Sequence, residues 1–430
     1  MVDLVILVLT LLGTVAVSFT AIRSTALNFA DFIYILAAIL VLLNPGLMLR
    51  SMSRVQLYII MGGLISLGSL LTLFQTQILG DIVAPFKFFI SSAVIYVLFA
   101  AVVRTLDRWK AVAAAFVVGV AVNCIDAILQ VALPGRFHAD CMTQGRACGF
   151  TDHPNDLGYL ICAGIFTTLA LVPLFDKRVK LVLFAVLGLE CSGLAATGSM
   201  GSAVGVLAGL GFYTLGSFRL RPKKTGASLV AGLLAGLLLL PVIIIVAMNT
   251  QLGHRFADFF GQSNASSISD TTLGERFITY DLAFRLIKQT PFAGVGMYHG
   301  PGSMVPHNVF IGIWYECGVL GLIGILTILL YTAYSSTRTF LGRWTSIKPA
   351  YAALAVAAGI FGLLICAQIA PFGYRRAAWA PFWLAATFTL LWAPTAGRAA
   401  VATARAYAGK GPWRPSGAHG HSPRPLGGAR

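Results

Sequence analysis

The amino-acid sequence predicts an all-α, polytopic membrane protein. Of its 430 residues, 57% are hydrophobic and only 11% are charged, and the mean hydropathy is +0.82. Soluble globular domains carry about 25% charged residues, and a chain of this length does not bury so much apolar surface in an aqueous core. In lipid, by contrast, a helix satisfies its own backbone hydrogen bonds.

Twelve apolar runs are each close to the roughly 20 residues that a helix needs to cross a bilayer. Two of these runs are separated only by Thr197 to Ser199, so that pair is the least distinct. The predicted spans are residues 4–22, 28–49, 55–75, 83–103, 111–133, 155–175, 179–197, 199–218, 226–248, 308–333, 350–371 and 377–394.

The Lys and Arg residues give the predicted orientation, because they concentrate in cytoplasmic loops. With both termini inside, those loops and the tail hold most of the 31 basic residues. We expect a multi-pass membrane protein, with a membrane domain at 1–394 and a basic, disordered cytoplasmic tail at 395–430. The outer loops are then long at 134–153 and at 249–306, the latter being a large periplasmic loop between helices 9 and 10.

The net charge of +16 does not indicate nucleic-acid binding, since the basic residues lie in short clusters between apolar runs. No Cys/His spacing typical of a zinc site occurs, and we expect no metal. Cys141 and Cys148 share the first long outer loop. On an oxidising face they form a disulfide or remain two thiols, and their spacing leaves both alternatives open.

The periplasmic loop contains an amphipathic helix in the segment TTLGERFITYDLAFRLIKQTPFAGVG. Thr272 begins a capping box, and Pro291 ends the helix. Arg285 has Asp281 four residues earlier, so a helical salt bridge accounts for it. Arg276 has no acidic residue three or four positions away. Its guanidinium suits a phosphate or diphosphate ligand, and a solvated or lipid-headgroup arginine is the alternative.

The loop ends in VPHNVFIGIWYECGVLGLIG, where the chain re-enters the membrane. His307 at this boundary is a candidate proton acceptor for a hydroxyl nucleophile, because imidazole titrates nearest to pH 7. An interfacial or helix-capping histidine is the alternative. Gly318 and Gly321, with Gly324 behind them, predict a smooth face for close helix packing.

Three carboxylates lie inside predicted spans at similar depth below the outer surface: Asp126, Glu190 and Glu316. Ionisable groups in lipid are costly, and they are normally paired or functional. These three either border one outward-facing cavity or are structural partners of one another's helices, and both alternatives stay open.

The segment GFTDHPNDLGYL places His153 and Asn155 at the outer entrance of the sixth span. Ordinary helix initiation accounts for Pro154, which suits a first helical turn. It does not account for His153, which is therefore a candidate functional residue.

Four stretches carry a resemblance in the same order along the chain: GFTDHPNDLG, TGSMGSAVGVLAG, ERFITYDLAFRLIKQTPFAGVG and PHNVFIGIWYECGVLGLIG. They resemble the O-antigen ligase and polysaccharide polymerase (Wzy-type) superfamily of bacterial inner-membrane glycosyltransferases. The last two are the most specific, since an Arg-led helix ending in P-x-x-G-x-G precedes His-Asn and a Gly-spaced span. The resemblance implies a membrane-embedded, C-type glycosyltransferase-like fold of about twelve helices.

The resemblance also implies a metal-independent transfer without cofactors. A glycan would pass from undecaprenyl diphosphate to a sugar hydroxyl of a glycan acceptor, at the periplasmic face of the lipid bilayer. Carried over to matching positions, Arg276 would hold the diphosphate, and His307 would be the general base or orient the acceptor hydroxyl. Four further side chains in the matching segments are candidate substrate contacts: Arg285, His153, Asn155 and Glu316.

The chain departs from the family pattern at Met200, where many members carry Arg in the TGS-x-G stretch. A second diphosphate clamp from the eighth span is therefore missing. We expect Arg375 or Arg376, in the last outer loop, to supply the charge as substrate-binding residues.

The HPN stretch after a Gly-Phe turn favours a repeat-unit polymerase of an exopolysaccharide or O-antigen pathway. An O-antigen ligase acting on lipid A core is the first alternative. A lipid-linked glycan flippase or other transporter is the second, although transporters of this size usually have two similar halves, and the sequence shows no such pair. A flippase and a chain-length regulator are candidate partners.

Overall fold

The computed structural model describes residues 2–19, 29–76, 80–134, 145–221, 272–296, 306–368 and 376–392. Within these ranges the regular secondary structure is helical. The chain divides into two units, residues 1–391 and 392–430. The helices described below belong to the first unit, except that Trp392, the last residue of the last helix, falls in the second.

The first part of the chain, up to residue 134, forms helices α1 to α8. They are α1 (Val2–Ala16), α2 (Phe29–Leu42), α3 (Pro45–Arg54), α4 (Gln56–Leu71), the short α5 (Leu73–Thr76), α6 (Gly80–Phe89), α7 (Ile95–Val102) and α8 (Leu106–Ala132). A π-helical turn, Ile90–Val94, joins α6 to α7.

The remaining described ranges form helices α9 to α15. They are α9 (Pro154–Leu171), α10 (Lys177–Thr197), α11 (Met200–Leu220), α12 (Thr272–Gln289), α13 (Val309–Leu341), α14 (Ile347–Ala367) and α15 (Arg376–Trp392). A 3-10 turn, Val172–Leu174, extends α9.

Seven helical segments among the described residues are long and apolar enough to cross a membrane, so the described part of the chain is all-α and has the helices of a polytopic membrane protein. Each of them overlaps a predicted span. They are residues 83–102, 106–132, 154–174, 177–197, 200–220, 309–341 and 347–367. Shorter apolar helices occupy three more predicted spans, at Val2–Ala16, Gln56–Leu71 and Ala377–Trp392. The predicted span 226–248 lies outside the described residues, so the total of twelve stays a prediction.

The predicted span over residues 28–49 is broken into two helices. Helices α2 and α3 are bent by 109° at a short break. Asn44 caps α3, its Oδ1 accepting a 3.3 Å hydrogen bond from the Leu47 N–H, and Pro45 occupies the first helical position. A proline inside a continuous helix would clash with the preceding turn, so the chain starts a new helix there.

Close helix packing occurs where the sequence predicts it at Gly321 and Gly324. A Cβ atom on Gly324 would lie 2.7 Å from the Met61 carbonyl oxygen, and a Cβ atom on Gly68 would lie 3.0 Å from the Gly321 nitrogen. These glycines let α13 lie directly against α4. Helix α14 packs in turn on α9, α11 and α13, so the start of α13 lies within the helix bundle.

Candidate functional site

One face of α12 turns toward α13 and carries Arg276. Arg276, Tyr280, Ala283 and Ile287 recur at helical spacing and therefore share this face. Ala283 and Ile287 are buried and pack against Tyr315 of α13. The helix begins at Thr272 and ends at Gln289, which confirms the helix predicted for this segment.

His307 lies two residues before α13, and its main chain is bound by α12. The Tyr280 hydroxyl donates a 3.1 Å hydrogen bond to the His307 carbonyl oxygen. Because Tyr280 follows Arg276 by one helical turn, the same stretch of α12 carries both the cation and the contact to the histidine. The structure thus brings Arg276 and His307 together.

The electrostatic environment keeps the His307 imidazole uncharged. Burial lowers the pKa of His307 below its ordinary value of 6.5, and the positive charge of Arg276 lowers it further. The Nδ1 atom is buried and has no hydrogen-bond partner among the residues that the structure describes. At neutral pH the imidazole is therefore able to accept a proton.

A break inside α13 at Gly318 holds the end of α12 in place. Gly318 has φ +66° and ψ −166°, which interrupts the helical hydrogen bonds. The chain after α12 replaces them: the Val295 N–H donates to the Tyr315 carbonyl oxygen at 2.7 Å, and the Val319 N–H donates to the Pro291 carbonyl oxygen at 3.1 Å. The prediction that Gly318 belongs to a smooth packing face is therefore wrong, because a second chain segment enters the helix there.

Glycine is needed on both sides of this junction. Gly294 has φ +72°, and a Cβ atom on it would lie 2.6 Å from the Gly318 nitrogen. A Cβ atom on Gly318 would collide with the Phe292 carbonyl oxygen. The P-x-x-G-x-G turn after α12 therefore docks into the break in α13, and this docking sets the position of Arg276 relative to the start of α13.

Asn308 starts α13 and joins it to α14. Its Oδ1 accepts hydrogen bonds from the N–H groups of Phe310 at 2.9 Å and Ile311 at 3.1 Å. Its Nδ2 donates a 3.1 Å hydrogen bond to Oε1 of Gln368, just beyond the end of α14. The residue after His307 is thus fixed from two sides.

His153 has a structural role that the sequence did not reveal. It is the N-cap of α9, and its Nδ1 accepts a 3.1 Å hydrogen bond from the Asn155 N–H. Helix initiation therefore accounts for His153 as well as for Pro154, and the expectation that it does not is wrong. The Asn155 Oδ1 accepts a 2.6 Å hydrogen bond from Arg146, whose Nε donates to the Thr197 carbonyl oxygen at 2.9 Å.

The loop before α9 is also held by α8. The Gln130 Oε1 accepts hydrogen bonds from the N–H groups of Cys148 at 3.0 Å and Gly149 at 3.1 Å. Cys148 is disulfide-bonded, which agrees with the first of the two predicted alternatives, a disulfide in this loop. Cys141 lies outside the described residues. The described cysteines that are free thiols lie in helices: Cys124, Cys162, Cys191, Cys317 and Cys366.

The four stretches that carry the family resemblance meet at one end of the bundle. Arg146 links the HPN stretch to the end of α10, and the Cys366 thiol donates to the Gly201 carbonyl oxygen at 3.6 Å across α14 and α11. Two residues later, Gln368 bonds the His-Asn stretch, which Tyr280 joins to α12. These contacts gather the motif segments around the start of α13.

Three further cations are predicted to bind substrate: Arg285, Arg375 and Arg376. Arg285 forms a 2.6 Å salt bridge with Asp281, both side chains being well exposed, which confirms the predicted helical pair. Arg375 lies outside the described residues, and the structure describes the backbone of Arg376 without its side chain. The substrate contacts of Arg375 and Arg376 stay predictions.

Two of the three intramembrane acids have hydrogen-bond partners inside the helix bundle, which favours the structural alternative for them. The Asp126 Oδ2 accepts a 3.0 Å hydrogen bond from Gln130, one turn along α8. The Glu190 Oε1 accepts a 3.1 Å hydrogen bond from the Thr168 hydroxyl of α9. Glu316 is 5% exposed and lies beside the Gly318 break. Of the three acids, it is the one next to the docked turn of α12.

Sequence reasoning missed three residues that build this region: Tyr280, Arg146 and Gln368. For Tyr280 a signal existed, because its spacing of four residues places it on the same helix face as Arg276. Arg146 and Gln368 act through contacts that are distant in sequence, and no local pattern marks them.

Comparison with known proteins identifies the region around the site. No curated protein matches the chain. Within the ranges that the structure describes, no three His, Cys, Asp or Glu side chains cluster so as to hold a metal ion, and the metal-independent reaction stays a prediction. Residues 181–326, from α10 through the first half of α13, match the family model described as O-Antigen ligase. This stretch, which contains Arg276 and His307, is similar to the O-antigen ligase family.

Proposed function

We propose that the protein transfers a glycan from undecaprenyl diphosphate to a sugar hydroxyl at the periplasmic face of the inner membrane, as a repeat-unit polymerase. One observation carries this proposal: Arg276 and His307, a cation and an uncharged base, come together at the start of a membrane span. The family match of residues 181–326 supports the reaction class.

In the proposed step, the acceptor hydroxyl oxygen forms a bond to the anomeric carbon of the donor glycan. The bond between that carbon and the diphosphate oxygen breaks, and its electron pair leaves with the diphosphate. His307 accepts the hydroxyl proton. Arg276 compensates the charge of the leaving diphosphate through two parallel hydrogen bonds.

The pairing of a cation with the base couples donor binding to proton transfer. Without donor, the positive charge of Arg276 disfavours the imidazolium form of His307. A bound diphosphate offsets that charge, so the imidazole becomes a stronger base once the donor is in place. The base therefore gains strength only in the complex that needs it.

Arg285 is not among the proposed substrate contacts, because its exposed guanidinium is paired with Asp281. The remaining predicted contacts divide into two groups in this proposal. Glu316, Arg375 and Arg376 are proposed to contact donor or acceptor, Glu316 because it is buried next to the docked turn of α12. His153 and Asn155 shape the outer rim instead, since both side chains are already hydrogen-bonded there.

The proposed setting follows from the charge distribution. It comprises twelve spans within 1–394, cytoplasmic termini, a periplasmic loop at 249–306 that contains α12, and a cytoplasmic tail at 395–430. The concentration of basic residues on one side supports this orientation, and the described membrane-spanning helices support its architecture. A flippase and a chain-length regulator stay predicted partners.

The test of the function is chain extension by the purified protein in detergent micelles, supplied with undecaprenyl-diphosphate-linked repeat units, in parallel reactions with and without lipid A core. A ladder of longer chains is expected, because each transfer leaves a new acceptor on the growing chain. Transfer to lipid A core without a ladder would identify a ligase instead. A transporter would give neither product, since micelles do not separate two compartments.

The pH dependence of kcat/KM reports the state of His307 in the free enzyme. The base is active above its pKa, which burial and Arg276 hold below 6.5, so activity should persist at pH 6.5 and fall only at lower pH. Replacing Arg276 with Gln removes the charge, raises the pKa of His307, and should move the acid limb to higher pH. An acid limb at or above pH 6.5 in the unmodified protein would contradict this assignment.

A further inference from the structure

The His307 side chain is positioned through its main chain. No described residue forms a hydrogen bond with its buried Nδ1. The hydrogen bond that joins His307 to α12 is accepted by its main-chain carbonyl oxygen. An imidazole held in this way keeps its direction only as long as the backbone at residue 307 is held.

Within the described ranges, two contacts hold that backbone. On the α13 side, Asn308 caps the helix and fixes the following peptide units. On the α12 side, the Tyr280 hydroxyl reaches the His307 carbonyl oxygen at 3.1 Å. The second contact ties the histidine to the helix that carries Arg276, one turn earlier on the same face.

We propose that Tyr280 is a positioning residue, which fixes the His307 imidazole relative to the Arg276 guanidinium by bonding the His307 carbonyl oxygen. This inference rests on the proposed function, because it gives a role to the distance between those two groups. Tyr280 takes no part in proton transfer, since its hydroxyl proton is directed at a main-chain carbonyl oxygen.

Among the described residues, few charged or titratable groups face His307. Arg276 and Tyr280 face it from α12. From α13 and the end of α14, the polar neighbours are the neutral amides of Asn308 and Gln368. A change in the distance between the Arg276 guanidinium and the His307 imidazole therefore changes the pKa of His307.

The test compares Tyr280→Phe with Tyr315→Phe in the purified, full-length protein. Tyr315 also lies in the contact between α12 and α13, so its replacement removes a hydroxyl from the same interface without touching His307. Tyr280→Phe should lower kcat roughly ten-fold, the loss of about one hydrogen bond, and leave KM for the lipid-linked repeat unit unchanged. Its acid limb should also shift toward the pH of an ordinary histidine.

Three results would overturn the inference. An unchanged rate and pH profile in Tyr280→Phe would mean that the bond positions nothing. Equal losses in Tyr280→Phe and Tyr315→Phe would assign the effect to interface packing. A lowered melting temperature in Tyr280→Phe with an unchanged pH profile would make Tyr280 structural. Arg276→Ala and His307→Ala in the same assay separate the two levels, because their full activity would overturn the proposed function itself.

Discussion

His307→Ala is expected to lower the rate of glycan transfer by roughly 10²- to 10⁴-fold, the usual contribution of a general base. The remaining activity should lose its acid limb, because no imidazole is left to titrate. Full-length protein in micelles, with lipid-linked repeat units as donor and acceptor, provides the measurement. Retention of the acid limb in this variant would assign the titration to another group.

Arg276→Ala is expected to lower the rate of glycan transfer about 10²- to 10³-fold, as the loss of one preorganised charge contact does. Arg276→Lys should recover only part of this loss, since an ammonium keeps the charge but not the paired hydrogen bonds. Arg285→Ala is the matched control on the same helix. Arg285 is exposed and bridged to Asp281, so its replacement should leave the rate within about two-fold and stability within about 1 kcal/mol.

The double variant gives a sharper result than either single one. If Arg276 and His307 act on the same transition state, their effects are not additive, and the double variant should be little worse than the worse single variant. Fully additive losses, or equal losses in Arg276→Ala and Arg285→Ala, would show that the two residues do not act as one unit.

The sequence was most informative where a local pattern determines the structure. The helix from Thr272 and its end before Pro291 follow from capping and proline chemistry, which need only neighbouring residues. The apolar runs that became membrane-spanning helices are local in the same sense. Arg276 could be singled out because its sequence neighbours offer no acid, and this too is a local observation.

The sequence was least informative where a distant segment decides the conformation. The His153 cap is a separate case, because its partner, the Asn155 N–H, is only two residues away, but histidine is not among the residues that favour the N-cap position. Gly318 has the spacing of a packing glycine, like Gly321, yet its backbone breaks the helix because the turn after α12 supplies replacement hydrogen bonds. Tertiary partners of this kind leave no periodic signal in the sequence.

That break gives the second large expected effect. Gly318→Ala should abolish transfer while leaving the protein inserted in the membrane. The backbone at Gly318, with φ +66° and ψ −166°, lies in a region open almost only to glycine, and occupying it costs other residues roughly 1–3 kcal/mol. The added Cβ atom would also collide with the Phe292 carbonyl oxygen. Helix α13 would be expected to close into a continuous helix and release the turn that follows α12.

Gly188→Ala is the control for this substitution. Gly188 lies in α10, and a Cβ atom there would meet no atom within 4 Å, so the change should be neutral or slightly stabilising through helix propensity. Gly294→Ala, on the other side of the junction, should reproduce the loss caused by Gly318→Ala, because its Cβ atom would press on the Gly318 nitrogen. Rates near those of the unmodified protein in both junction variants would mean that α12 does not need this docking to hold Arg276 beside His307. Loss in both, with Gly188→Ala fully active, would establish that the site is assembled by the broken helix and not by either segment alone.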